Sequence, residues 1–125
     1  MSHRSALHWF EIPVRDLDRA QAFYEAVLAT TIRRETIAPN QLGLFAYDEA
    51  GVGGCLIAGE SAPAPATTGS LVYLDGGASL DATLARVAAA GGRITTPKVQ
   101  LPGDMGVFAH ITDTEGNRVG LHAPR

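Results

Sequence analysis

The stretch Asp113-Thr114-Glu115-Gly116-Asn117-Arg118-Val119-Gly120-Leu121-His122 decides the fold, because an earlier segment is built the same way. That segment is Phe45-Ala46-Tyr47-Asp48-Glu49-Ala50-Gly51 running into Gly54-Cys55-Leu56-Ile57. Each is a strand, a turn of Asp, Glu and Gly, and a second strand, and each follows its own strand and helix. The chain therefore reads as two half-copies of one module. A cavity built from matching halves takes its function from what lines it.

Working outward, residues 7–14 alternate as a strand, with Phe10, Ile12 and Val14 on the side expected to face helices and Trp9, Glu11 and Pro13 on the other. Leu17, Ala20, Phe23, Tyr24, Val27 and Leu28 then recur at helical spacing, with Asp16 placed to cap the N-terminus. Strands are expected around 32–37, 42–47 and 53–58. A stretch rich in Pro, Ala and Thr, residues 59–69, has no apolar periodicity and reads as a flexible surface linker. A strand over 71–75 follows, then a helix with Leu80, Leu84, Val87 and Ala88 on one face and Gly91-Gly92 as its stop. Ile94, a loop over 97–106, and strands over 107–112 and 118–122 complete the second copy. The expected fold class is α+β: two βαβββ modules, about 5–58 and about 70–123 of one domain over 1–125, forming a cupped mixed sheet with helices outside.

The 125 residues, 46% hydrophobic and 18% charged, suffice for one compact core. A net charge of −3 offers no basic stripe for a phosphate backbone, which argues against nucleic acid, and it favours a cationic or neutral ligand. No signal-peptide run and no membrane-length apolar stretch is visible, so a cytoplasmic location and no membrane partner are expected. The single cysteine, Cys55, has no partner for a disulfide or a thiolate zinc cluster. Packing within a strand is its expected role, with a reactive thiol as the alternative.

Three motifs carry a family resemblance. They are Val14-Arg15-Asp16-Leu17-Asp18-Arg19-Ala20 with Phe23-Tyr24-Glu25, the helix region 80–92, and Asp113-Thr114-Glu115-Gly116-Asn117-Arg118. In this order, and over nearly the whole chain, they resemble the vicinal oxygen chelate superfamily, which includes glyoxalase I, extradiol dioxygenases, fosfomycin-resistance enzymes and bleomycin-binding proteins. The resemblance implies a ligand-binding cup whose enzymatic members draw one metal ligand from the first and one from the last strand of each half. Carried onto this chain, those positions fall at Trp9, at Gly54 or Cys55, at Leu71 and at Gly120. Trp9 stands where a metal-binding member has His, and Gly120 where it has Glu. The resemblance thus leads to the expectation of no metal and no cofactor. Chains of this size also resemble homodimers with sites shared between copies, and a dimer would cover a sheet edge and a half-lined cavity.

Strand parity puts Trp9, Glu11, Tyr73, Asp75, Arg118, Gly120 and His122 on the cup side, and the resemblance adds Phe108 and His110. The expected ligand-binding residues are Trp9, Glu11, Tyr73, Phe108, His110 and His122: aromatic walls with a few polar groups. Glu11, His110 and His122 are also the catalytic candidates, either as a displaced two-His, one-carboxylate metal site or as a His–Glu base and orienter. Each has a structural alternative. Trp9 could anchor a core or dimer interface, Glu11 could pair with Arg118 or Arg33, and the histidines could simply line an interface. His3 sits near the chain start, and His8 is expected on the helix-facing side. The segment 102–106 would serve as a lid or as an ordinary connection.

Three functions compete: a small-molecule binder or sensor without metal, a glyoxalase- or dioxygenase-type metalloenzyme with a displaced site, and an interaction subunit with a filled cup. No basic cluster is visible for the two carboxylates of glutathione.

Overall fold

A computed structural model describes residues 5–125, so His3 lies outside the described residues. The elements run β1 (Trp9–Pro13), α1 (Leu17–Leu28), β2 (Ile32–Ile37), β3 (Asn40–Phe45), β4 (Gly53–Gly59), β5 (Tyr73–Asp75), α2 (Leu80–Leu84), β6 (Arg93–Gln100), β7 (Val107–Thr112) and β8 (Arg118–Ala123). The order βαβββ occurs twice. Two four-stranded mixed sheets result, ordered β1-β4-β3-β2 and β5-β8-β7-β6, with β1 and β5 each parallel to the last strand of their own module.

Helix α1 forms where the apolar spacing placed it. Leu17, Ala20, Phe23, Tyr24 and Val27 are buried, and the Asp16 side chain accepts the Arg19 N–H at 3.0 Å as N-cap. The helix packs into a core fed by both modules, from Ile12, Phe45 and Leu56 on one side to Leu80, Val107, Ile111 and Leu121 on the other. The second helix is shorter than its sequence pattern. It ends at Leu84, after which Arg86 and Val87 bond back only three residues, to Thr83 and Leu84. In this tighter winding Val87 stays buried while Ala88, expected on the inner face, is exposed. Arg86 uses the turn to donate from Nη2 to the Val27 carbonyl at 2.9 Å, satisfying an open acceptor at the end of α1.

Two further expectations are corrected. Residues 97–100 are strand, not loop: β6 runs to Gln100, with register shifts on either side of Thr96. Pro97 is tolerated there because β6 is a sheet edge, where a missing N–H costs no ladder bond. His8 is exposed before β1 rather than packed against helices. The linker is also tied down. Ala66 accepts the Arg118 N–H and donates to Asn117 Oδ1, while Ala62 packs on Leu42, Cys55 and Ile57.

The turn between β7 and β8 is the staple of the fold. Asp113 Oδ1 accepts the N–H groups of Glu115 and Asn117 at 2.8 Å each, and Tyr24 donates its hydroxyl to Asp113 Oδ2 at 2.6 Å. Asn117 Nδ2 reaches the Pro13 carbonyl at 2.7 Å. Glu115 Oε1 accepts the N–H groups of Arg15 and Asp16 at 2.9 Å, at the start of α1, where a negative charge meets unpaired donors and the helix dipole. The motif that marks the repeat thus locks the second module onto the first.

Candidate functional site

The two modules can be aligned by the bond that closes each parallel pair. Val14 N–H donates to the Ile57 carbonyl, and Gly76 N–H donates to the His122 carbonyl. Counting back along each strand, Trp9 matches Leu71, Glu11 matches Tyr73, and Cys55 matches Gly120. The ambiguity between Gly54 and Cys55 is removed as well, since a Cβ on Gly54 would run into Phe10 on the helix side. The four positions marked by the resemblance therefore carry Trp9, Cys55, Leu71 and Gly120. Indole, isobutyl and hydrogen offer no lone pair to a divalent cation. Burial, aided by the charge of Glu11, pushes the Cys55 thiol up to about 11, so it is not a ready thiolate ligand.

On the second module's open face Tyr73, Phe108 and His110 come together as expected. Their rings form a cluster, with centroids 6.0 Å apart for Tyr73 and Phe108 and 5.3 Å for Phe108 and His110. The Tyr73 hydroxyl lies 2.7 Å from His110 Nε2, and Thr96 Oγ1 lies 2.9 Å from His110 Nδ1. Arg118 Nη2 approaches the same Nδ1 at 3.3 Å. The His110 ring is buried and its pKa is lowered, first by burial and second by the Arg118 charge, which favours neutral imidazole. Gly120 is what lets Tyr73 lie here: a Cβ at that position would stand only 2.6 Å from Tyr73 Cε2 and closer still to Cδ2.

The first module offers an apolar counterpart. Trp9 meets Tyr47 edge to face at 6.2 Å, and a Cβ on Gly53 would stand 2.7 Å from Trp9 Cζ3 and 2.6 Å from Tyr47 Cε1. Both rings remain exposed, Trp9 at 40% and Tyr47 at 56%, next to a small buried cluster of Leu42, Cys55 and Ile57.

The other predicted residues separate. Glu11 is exposed and, among the described residues, forms no ion pair with Arg118 or Arg33; Arg33 pairs with Glu35 instead. His122 turns its Nε2 to the Met105 carbonyl at 2.6 Å and so holds the segment before β7. Among the described residues no three His, Cys, Asp or Glu side chains are gathered as a metal would require, and the trio Glu11, His110 and His122 is not assembled. Thr96 and Arg118 belong to the cluster and were absent from the predicted site. Arg118 was legible by parity. Thr96 was hidden by the register shifts flanking it, which strand alternation cannot anticipate.

Two clefts accompany these faces. A cleft of about 390 Å³ opens at the seam of the modules, between Phe10, Leu28 and Phe45 on one side and Val72, Tyr73 and Leu74 on the other. A smaller one of about 160 Å³ lies under the linker, between Glu11 and Arg118. No helix among the described residues is long and apolar enough to cross a membrane.

Comparison with known proteins agrees with this architecture. CFP32 of Mycobacterium bovis and its counterpart in Mycobacterium tuberculosis, both provisionally named as glyoxylases, are 32% identical over 117 residues, which is 93% of this chain but 43% of theirs. The chain thus spans under half the length of these relatives. Among solved structures, a glyoxylase/bleomycin resistance protein/dioxygenase domain from Frankia sp. superposes with a TM-score of 0.71 at 20% identity, covering 99% of this chain and 94% of that one. A glyoxalase I mutant from Zea mays gives 0.70 at 20% identity over 94% of this chain and 45% of that one. TnmS3, an antibiotic binding protein from Streptomyces sp. CB03234, gives 0.66 at 22% identity over the full length of both chains. The sequence model of the Glyoxalase/Bleomycin resistance protein/Dioxygenase superfamily matches residues 6–121, and the chain belongs to that superfamily.

Proposed function

We propose that this chain binds a small organic molecule on the aromatic faces of its modules, Trp9 in the first and Tyr73, Phe108 and His110 in the second, without a divalent metal. The donor set carries the reading: Trp9, Cys55, Leu71 and Gly120 do not fit a metal, Trp9 is itself an aromatic ring, and the Tyr73 ring lies over Gly120. A wall of aromatic groups with few polar ones suits a partly apolar ligand. The antibiotic-binding neighbour of equal length makes sequestration the nearer analogy, at the level of fold alone. We read the chain as one domain of two modules that pairs with a second copy, because β1 and β5 are each a sheet edge and Trp9 is exposed at one of them.

A second reading, an enzyme, is favoured by the provisional glyoxylase name of the relatives. It would need a metal site other than the four positions. Glu11, His110 and His122 would have to move, since both His110 nitrogens and His122 Nε2 are already engaged.

The test is elemental analysis of untagged protein before and after chelator dialysis, with a thermal melt of each sample. No stoichiometric metal and an unchanged melt are expected, followed by stabilisation from members of a small-molecule panel. Stoichiometric transition metal whose removal lowers the melting temperature would overturn the reading in favour of the enzyme. Light scattering on the same sample measures the expected dimer.

A further inference from the structure

We infer that the open face of the first module takes an organic cation, of the quaternary ammonium class, on the exposed rings of Trp9 and Tyr47 with Glu11 as its counter-charge. This rests on the small-molecule reading above and names the ligand chemistry of one of its two aromatic faces.

The rings supply the attraction. Trp9 and Tyr47 stand close to perpendicular, with 83° between their planes, and both lie over Gly53, where a side chain would collide with them. An edge-to-face pair uses the positive edge of one ring and a single negative face of the other, so it leaves aromatic face unused. Both rings remain exposed, and that face is open to solvent. Indole and phenol faces draw a cation to within about 6 Å of the ring centroid. A quaternary ammonium suits them better than a primary one, because it has no N–H donors for the rings to leave unpaired.

The carboxylate lies beside them. Glu11 follows Trp9 by two positions on β1 and shares its face, pairing in register with Cys55 as Trp9 pairs with Gly53. The buried Cys55 thiol feels both groups: the Glu11 charge adds to the rise that burial imposes on its pKa, and the Trp9 side chain opposes it through a hydrogen bond. Glu11 is exposed and forms no ion pair among the described residues. Arg118 shares the smaller cleft with Glu11 but turns Nη2 to His110 instead. No Lys or Arg occurs on β1, β3, β4 or the loop over 46–52, and the two arginines of β2, Arg33 and Arg34, are paired with Glu35 and Asp18.

The repeat shows the same preference for positive charge. In the second module the turn carboxylates are consumed, Asp113 by backbone N–H groups and Tyr24, Glu115 by the start of α1 and Arg19. The corresponding turn of the first module, which begins directly after Tyr47, carries Asp48 and Glu49. Both are exposed, and among the described residues neither side chain takes a hydrogen bond or an ion pair. The charges that one copy spends on its own fold, the other leaves in solvent next to the aromatic pair, where they favour the approach of a cation.

The experiment titrates the whole chain with choline and with its neutral carbon isostere, 3,3-dimethylbutan-1-ol, at matched ionic strength. The readouts are the emission of Trp9, the one tryptophan of the chain, and the amide NMR shifts of Gly53 and Cys55. Choline is expected to bind at least about tenfold more tightly than the alcohol. Glu11→Gln is expected to remove most of that preference, Tyr47→Leu to weaken choline by about two- to fivefold, and Tyr47→Phe to retain it. Glu11 and Tyr47 are exposed, so these variants are expected to keep the wild-type melt, and a lost preference is read in folded protein. Equal binding of the two probes, or choline binding that ignores both Glu11→Gln and Tyr47→Leu, overturns the cation site and leaves the small-molecule reading standing. No response to choline at millimolar concentration also overturns the cation site; the small-molecule reading falls with it only if no member of the ligand panel stabilises the protein.

Discussion

Glu115 and Arg19 meet across the modules, with Arg19 Nε 2.7 Å from Glu115 Oε2 and Nη2 3.0 Å from Oε1. The guanidinium is half exposed, but the carboxylate is fully buried and also accepts two backbone N–H groups at the start of α1. Burial alone would push the Glu115 pKa up. Hydrogen bonds from Arg19, the Asp16 backbone, Thr114 and the Arg15 backbone outweigh it and hold the pKa at about 2. The folded value lies below the unfolded one, so the stabilisation is complete above pH 4.5 and is lost as pH falls toward 2. The gap from 4.5 to about 2 corresponds to roughly 3 kcal/mol. Denaturant melts between pH 7 and pH 2 are expected to show this loss in the parent protein. Glu115→Gln is expected to be less stable at pH 7 and to have a flatter profile; an unchanged acid limb would remove Glu115 as its cause.

Tyr24 is fully buried and spends its hydroxyl on Asp113 Oδ2, which among the described residues otherwise receives only Asn117 Nδ2 at 3.1 Å. Tyr24→Phe keeps the ring and its edge-to-face packing on Phe23 and Phe45. It removes one bond to a buried carboxylate, and a loss of about 1–3 kcal/mol is expected in equilibrium unfolding. A neutral result would mean that water or Asn117 replaces the phenol.

Gly53 and Gly120 are each covered by an aromatic ring of the neighbouring first strand. Alanine at either position must displace that ring, costing about 1–3 kcal/mol if the sheet does not relax. Gly53→Ala is expected to shift the emission of Trp9, the one tryptophan of the chain, whereas Gly120→Ala is expected to leave it unchanged and to break the Tyr73–His110 bond instead. The opposite pattern would refute the alignment of rings over glycines.

Cys55 is buried with its thiol raised to about 11 by burial and by Glu11. Its reaction with a disulfide reagent at pH 8 is expected to be far slower in the native protein than after denaturation. Equal rates would place the thiol at an accessible, activated site.

Much of the fold was legible because periodicity records which face of an element is buried. The alternation of Phe10, Ile12 and Val14 and the helical spacing from Leu17 to Val27 each name a buried side, and the burial follows. The extent of α2 and the reach of β6 were not legible, because a tertiary bond from Arg86 and an edge position for Pro97 decided them. In the site, parity put Tyr73 on the cup side, and the family resemblance added Phe108 and His110 to the same face. Parity could not find Thr96 beyond a register shift, nor show that His122 spends its ring on Met105.

By itself, then, the sequence determined the repeat and the faces, since both depend on local order along the chain, while the family resemblance marked where a metal's ligands would stand and left Gly54 or Cys55 open. Only the tertiary structure decided which residues meet. The turn from Asp113 to Asn117 reads as a hairpin signal in sequence, but its carboxylates are consumed by α1 and Tyr24, about 90 to 100 positions away in the chain. Likewise, the surroundings of the His110 ring depend on Tyr73, Thr96 and Arg118 arriving from three separate strands. Hydrogen bonds between distant segments are set by packing in three dimensions, and no local pattern encodes them.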